Sequence, residues 1–157
     1  MQHRMKTHPL TQQQIHQLLT QAQVGCLATL NQGGSPYVTP VHFVFDGECV
    51  YVHGLPKGQR LDNLRADPRV SMTVFHMEGL LLDPEGKPCD TNTQYQSVIL
   101  SGRAVLLEDI QEKERVLSQF VAKYTPHLVQ NPLPAAMVRG TAVTQITVED
   151  ITGKYYT

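Results

Sequence analysis

The residues best placed to do chemistry lie in one stretch, GECVYVHGLPKGQRLDNL. Alternation along a strand puts Cys49, Tyr51 and His53 on one face, with His53 at the strand end where a barrel mouth would be. Lys57 and Arg60 follow at once, in a glycine-punctuated turn that opens a helix. Such a turn presents backbone N–H groups without helical partners and the positive end of the helix dipole, and the two cations add to that charge. The pattern is an anion site and suits a phosphate best; charge-assisted bonds of this kind contribute roughly 1.5–3 kcal/mol each. The same spacing also serves a solvated basic loop in which Asp62 and Asp67 pair with these cations at the surface.

Other chemistries lack their residues. No GxGxxG follows a strand, no glycine-rich loop ends in Gly-Lys-Ser/Thr, and there is no HExxH. The seven histidines are scattered, none at metal-ligand spacing from Cys, Asp or Glu, so no metal is expected. Cys26, Cys49 and Cys89 lie far apart and suit reduced thiols. Thirteen Lys and Arg balance fourteen Asp and Glu, and there is no Trp, which argues against a nucleic-acid or acidic-membrane surface. No apolar stretch follows the charged first residues and no run reaches membrane-spanning length, so a cytoplasmic protein is expected.

The 157 residues suit one domain over 1–157, and its elements must position that turn. Thr11 and Gln14 form a capping box, Leu10 and Ile15 a hydrophobic staple, and Ile15, Leu18, Leu19 and Ala22 recur at helical spacing, which predicts a helix over 11–22. Three strands follow, split by the hairpin signals Gln32-Gly33-Gly34-Ser35 and Asp46-Gly47, with Pro40 at a bulge or a strand edge. After the turn comes a short helix with Leu61 and Leu64 on one face, ended by Pro68. Val70, Met72 and Val74 mark a fourth strand, 78–94 a long connection, and 95–109 a fifth strand kinked at Gly102. A helix over about 109–123 buries Ile110, Val116, Leu117 and Phe120; 125–140 reads as a loop and 141–148 as the sixth strand. Without a βαβ rhythm, the fold is mainly β with peripheral helices, an antiparallel barrel.

Three segments in this order, GCLATLNQGGSPYVTPVHFVFDGECVYVHGLPKGQRLDNLRADPRVSMTV, YQSVILSGRAVLLED and ITVEDITGK, resemble the FMN-binding split barrels related to pyridoxamine 5′-phosphate oxidase, and within them the nitroimidazole-resistance flavoproteins. The resemblance implies a homodimer of six-stranded antiparallel split barrels with FMN in a groove between subunits. It places Val38, Thr39, Pro40 and Val41 along the flavin ring, His53 and Gly54 beside the ribityl-phosphate, and Lys57, Gly58, Gln59 and Arg60 around the phosphate. Gln59 stands where the family often carries another basic residue, and Ser97 where the oxidase relatives place a longer glutamine. The oxidase's substrate-binding C-terminal segment has no counterpart in TGKYYT, so oxidation of a vitamin B6 phosphate is not expected. The resistance branch implies instead that reduced flavin passes electrons to a nitro group or similar small acceptor, with His53 near the reacting end or the phosphate as a proton donor. Two alternatives are a non-catalytic carrier or sensor of flavin or haem, with His53 as axial ligand, and an interaction domain with an empty groove.

Overall fold

The computed structural model describes residues 3–157. A short helix α1 (His3–Thr7) precedes α2 (Gln12–Gln21), whose N-terminus is fixed by the reciprocal Thr11–Gln14 capping box. Six strands follow: β1 (Val24–Leu30), β2 (Pro36–Phe45), β3 (Cys49–Gly54), β4 (Arg69–Leu81), β5 (Asn92–Leu106) and β6 (Ala142–Tyr156). Helix α3 (Gln59–Ala66) joins β3 to β4, and α4 (Ile110–Tyr124) and α5 (Ala135–Gly140) lie between β5 and β6. All strand pairs are antiparallel, and the order β1-β2-β3-β6-β5-β4 closes a barrel.

Two apolar layers result from strand alternation. Inward residues such as Leu27, Phe43, Val52, Met72, Val98 and Ile146 fill the barrel, and Leu18 and Leu19 of α2 pack into the same core. The outward residues of β3 and its neighbours, Val44, Cys49, Tyr51 and Val143, are covered by Val116, Leu117 and Phe120 of α4 and by Val138 of α5. The segment 125–140 is therefore more than a loop: it contains a 3-10 turn (Pro126–Leu128) and α5, whose Val138 is fully buried. Ile110, expected in the core, is exposed, because as the first residue of α4 it precedes the turn that faces the sheet.

The long strands exceed their sequence pattern at two bulges. Glu78 has no opposite residue between the Met77–Tyr95 and Gly79–Gln94 pairs, and β4 and β5 run on as a two-stranded ribbon where 78–94 reads as a connection. Glu149 is likewise extra between the Val148–Gly102 and Asp150–Ser101 pairs, and β6 continues eight residues beyond Val148. Each extra residue shifts the inward phase from even to odd positions, which hides the strand from a period-two reading. Gly102 is required opposite the second bulge, since a Cβ there would lie 2.1 Å from the carbonyl oxygen of Thr147.

Pro40 pairs with Cys26 without a register shift, so there is no bulge in β2. It occupies an edge instead. β2 pairs with β3 only over Phe43–Phe45, and from His42 back to Pro36 its other side is open. Phe43 turns both its N–H and its C=O to the Tyr124 hydroxyl, which also reaches the carbonyl of Gln23, the residue before β1. Backbone alternation then aims His42, Pro40 and Val38 at the open edge, where a missing N–H costs no ladder bond.

Candidate functional site

β3 ends at Gly54, and the chain turns through Leu55-Pro56-Lys57 into α3. Gly58 caps that helix at φ +132°, a backbone conformation that favours glycine, and no side chain satisfies the first N–H groups. A cavity of about 260 Å³ opens over this helix start, lined by Tyr37 and Thr39 of β2 and by Lys57, Gly58, Gln59 and Arg60. The structure thus brings together the turn and part of the β2 segment.

The two aspartates that offered a surface alternative are taken. Asp62 pairs with Arg65 at 3.1 Å, and Asp67 with Arg69, which holds the Asp67 carboxyl down at about 2 through hydrogen bonding and charge. Lys57 and Arg60 have no ion pair among the described residues. Arg60 is half-buried, and its Nη2 makes a long 3.4 Å bond to the His53 carbonyl. Burial pushes its pKa down, so the guanidinium has paid desolvation without an anion in return. The guanidinium tip lies over Gly54, where a Cβ would come 2.8 Å from Nη2 and push the tip aside.

Among the described residues, three buried polar atoms have no hydrogen-bond partner: Arg60 Nε, Thr39 Oγ1 and His53 Nδ1. All three stand on the elements that form this corner. A buried unpaired polar atom costs about 1–3 kcal/mol, so the two that belong to residues lining the cavity, Arg60 Nε and Thr39 Oγ1, mark a ligand's donors and acceptors. A phosphate ester of a polyol supplies what they lack: anionic oxygens for the guanidinium and helix start, hydroxyls for the threonine and imidazole.

His53 lies on the outer face of β3, not inside the barrel mouth, because the Cys49–Tyr51 side of that strand packs under α4. Its ring meets Phe120 edge-on at 4.2 Å. Burial, then the fields of His42 and Arg60, push its pKa below the ordinary histidine value. At neutral pH the ring is an uncharged imidazole, suited to hydrogen bonding.

The remaining expected residues separate. Val38 and Pro40 are exposed on the open edge, whereas Val41 is buried in the barrel core and presents no side chain there. Gln59 lines the cavity and turns its amide nitrogen to Asn63 Oδ1 at 2.8 Å. Ser97 faces outward on β5 between Phe75 and Lys154, with β1 and β4 intervening between it and β2, roughly 14 Å by strand spacing.

Sequence reasoning passed over Tyr37 and Tyr124. Tyr37 shares the inward parity of Thr39, a signal readable in the alternation of β2. Tyr124 carried no local signal, since its partners Gln23 and Phe43 lie 101 and 81 residues away along the chain. Beside it, Lys123 donates to the Leu19 and Phe43 carbonyls, with burial lowering its pKa to about 8. Together they pin α2, β1 and β2 next to the open edge. No cluster of three or more potential metal ligands occurs among the described residues, and no helix is long and apolar enough to cross a membrane.

This arrangement has known counterparts. The family model for pyridoxamine 5′-phosphate oxidase matches residues 11–155. A candidate 5-nitroimidazole antibiotic resistance protein from Bacteroides thetaiotaomicron superposes with a TM-score of 0.80 at 25% identity, covering 93% of this chain and 85% of that one. The flavocytochrome Anf3 from Azotobacter vinelandii gives 0.81 at 26% identity, covering 94% and 68%. An FAD and heme binding protein from Mycobacterium smegmatis shares the fold, with a TM-score of 0.82 at 15% identity over 92% and 71%. No curated protein matches the sequence. The chain belongs to the pyridoxamine 5′-phosphate oxidase family, adopts its six-stranded split barrel and resembles the nitroimidazole-resistance branch.

Proposed function

We propose that this protein is a flavin-dependent oxidoreductase that holds its cofactor by the 5′-phosphate and reduces a small acceptor such as a nitroaromatic compound. The observation that carries this reading is the pair of unpartnered buried atoms at the cavity, Arg60 Nε and Thr39 Oγ1, beside an uncapped helix start and two cations without an ion pair among the described residues. FMN is the smallest flavin with the required phosphate. Bound flavin supplies the electrons: taking a nitro group to the nitroso level consumes two electrons and two protons and releases water. The protein's part is positional. Arg60, Lys57 and the N–H groups after Gly58 neutralise the phosphate, the open edge at Val38 and Pro40 offers backbone groups along the ring, and His53 orients the ribityl-phosphate by hydrogen bonding.

A homodimer is part of the proposal. Val24, Val38, Phe75 and Met77 are all about half exposed or more on the outer faces of β1, β2 and β4, an exposed apolar strip that borders α2 at Val24 and Phe75. Ser97 stands too far from its own cradle to complete it, so a second subunit would have to present it to the cofactor.

Haem is the second reading, favoured by the flavocytochrome and haem-binding relatives. Against it stands the wedged position of His53 under Phe120, which leaves little freedom to present a nitrogen to iron. The deciding experiment is an absorption spectrum of the purified protein with and without added FMN, followed by denaturation to identify the released chromophore. A flavin spectrum supports the proposal; a haem band abolished by His53→Ala overturns it.

A further inference from the structure

β2 and β3 part at a pair of histidines. Their ladder runs through Phe45–Val50, Val44–Tyr51 and Phe43–Val52, so the next step sets His42 against His53 at the fork where the two strands separate. Phe43 lies in the barrel core, which puts its neighbour His42 on the outer face with His53 and with Pro40, two residues or about 7 Å back along the open edge. Helix α4 lays an aromatic bridge over the fork. The His42 ring stacks on Tyr124 with centroids 4.5 Å apart and planes 21° apart, Tyr124 stacks on Phe120 at 5.9 Å, and Phe120 meets His53 at 4.2 Å. Hydrogen bonds to Phe43 and to the Gln23 carbonyl hold the Tyr124 hydroxyl, so His42 stacks on a fixed surface. His42 itself is exposed, and neither of its ring nitrogens makes a hydrogen bond among the described residues.

The reaction proposed above leaves one proton without a source. A nitro group reaches the nitroso level with two electrons and two protons, losing one oxygen as water; anionic reduced flavin delivers both electrons and one proton as a hydride, so the second proton comes from the protein or from water. The titratable groups around the fork differ in what they can give. His53 is half-buried, and burial together with the fields of His42 and Arg60 keeps it uncharged at neutral pH, so a proton held by the pair sits on the exposed ring. Lys123 spends its ammonium protons on the Leu19 and Phe43 carbonyls. Burial pushes the Tyr124 phenol up, and its one proton is committed to carbonyls as well. Arg60 does not deprotonate, and β1 sets only the apolar Val24 opposite His42. His42 alone among these groups is exposed and free of hydrogen bonds, so it can pass a proton on and be reloaded from water.

We propose that His42 is the proton donor of the reaction, protonating a nitro oxygen of the acceptor at the end of the open edge, while His53 stays neutral and only positions. The inference rests on the flavin reading above, and the test separates the two. In the apoprotein, the imidazole Cε1–H resonances are followed by NMR from about pH 5 to 8 and assigned with His42→Gln and His53→Gln; His42 is expected to take up a proton before His53 as the pH falls. In the protein loaded with FMN, the cofactor is reduced photochemically without oxygen, and its reoxidation by an excess of a nitrofuran is followed over a single turnover. His42→Gln should still bind FMN, yet reoxidise on the order of a hundredfold more slowly near neutral pH. It should also lose the fall in rate with rising pH that the wild type shows, and added imidazole should restore the rate of His42→Ala. An unchanged rate or pH profile in His42→Gln, or His53 taking up its proton first in the apoprotein, overturns the inference and leaves the flavin reading standing. Wild-type protein that binds no FMN removes the flavin reading and the donor role with it.

Discussion

Replacing Arg60 by alanine isolates the central interaction. The side chain is half-buried, with Nε unpartnered and one long bond to the His53 carbonyl, so the folded protein without ligand gains little from it. Its desolvation has already been met, and an anion that pairs with it gains the charge-assisted bond without paying that cost again. One such bond is worth roughly 1.5–3 kcal/mol, which is a loss of about tenfold to 150-fold in FMN affinity. The unfolding temperature of the apoprotein should move by no more than a few degrees. Riboflavin, which has the same ring and no phosphate, provides the control: its dissociation constant should be unchanged by Arg60→Ala. The assay is fluorescence quenching of each flavin by wild type and variant at one salt concentration, since exposed Lys57 contributes a screened term. Equal losses for FMN and riboflavin, or no loss for either, would refute the assignment of Arg60 to a phosphate.

Three further outcomes follow from the same structure. Tyr124→Phe leaves the Phe43 N–H and the Gln23 carbonyl without their shared partner and should cost about 1–3 kcal/mol, a fall of roughly 2–12 °C in unfolding temperature by calorimetry. Lys123 keeps its proton in the unfolded chain up to the ordinary lysine range but loses it near pH 8 when folded, so its contribution to stability rises between about pH 8 and 10.5 and is flat below; urea unfolding of wild type against Lys123→Met across that window should show the slope only in the wild type. Phe75→Glu and Met77→Glu put charge on the exposed outer strip and should convert a dimer to a folded monomer by light scattering, whereas a wild-type monomer would contradict the proposed assembly.

What could be read from the sequence was local. The Thr11–Gln14 box, the glycine turns at Gly33-Gly34 and Gly47, and the apolar face of α4 act within a few residues, and each appears where its chemistry requires. The cradle was legible for the same reason: Lys57, Gly58 and Arg60 are consecutive enough to share one turn. Phase was the first thing lost, since the extra residues at Glu78 and Glu149 invert the inward parity and conceal half of β6 and the β4–β5 ribbon. Handedness of the face was the second. Alternation grouped Cys49, Tyr51 and His53 correctly, but only the docking of Phe120 decides that this face lies outside the barrel. Competition between charges was the third, because Asp62 finds Arg65 one turn away before it can reach Arg60.

The most direct test of the account is the chromophore itself. Purified protein, mixed with FMN and freed of unbound ligand, should show a flavin absorption spectrum, and denaturation should release a flavin that still carries its 5′-phosphate. A colourless protein after that treatment, or a haem band in place of the flavin, would contradict the reading of the Arg60 corner as a flavin phosphate site.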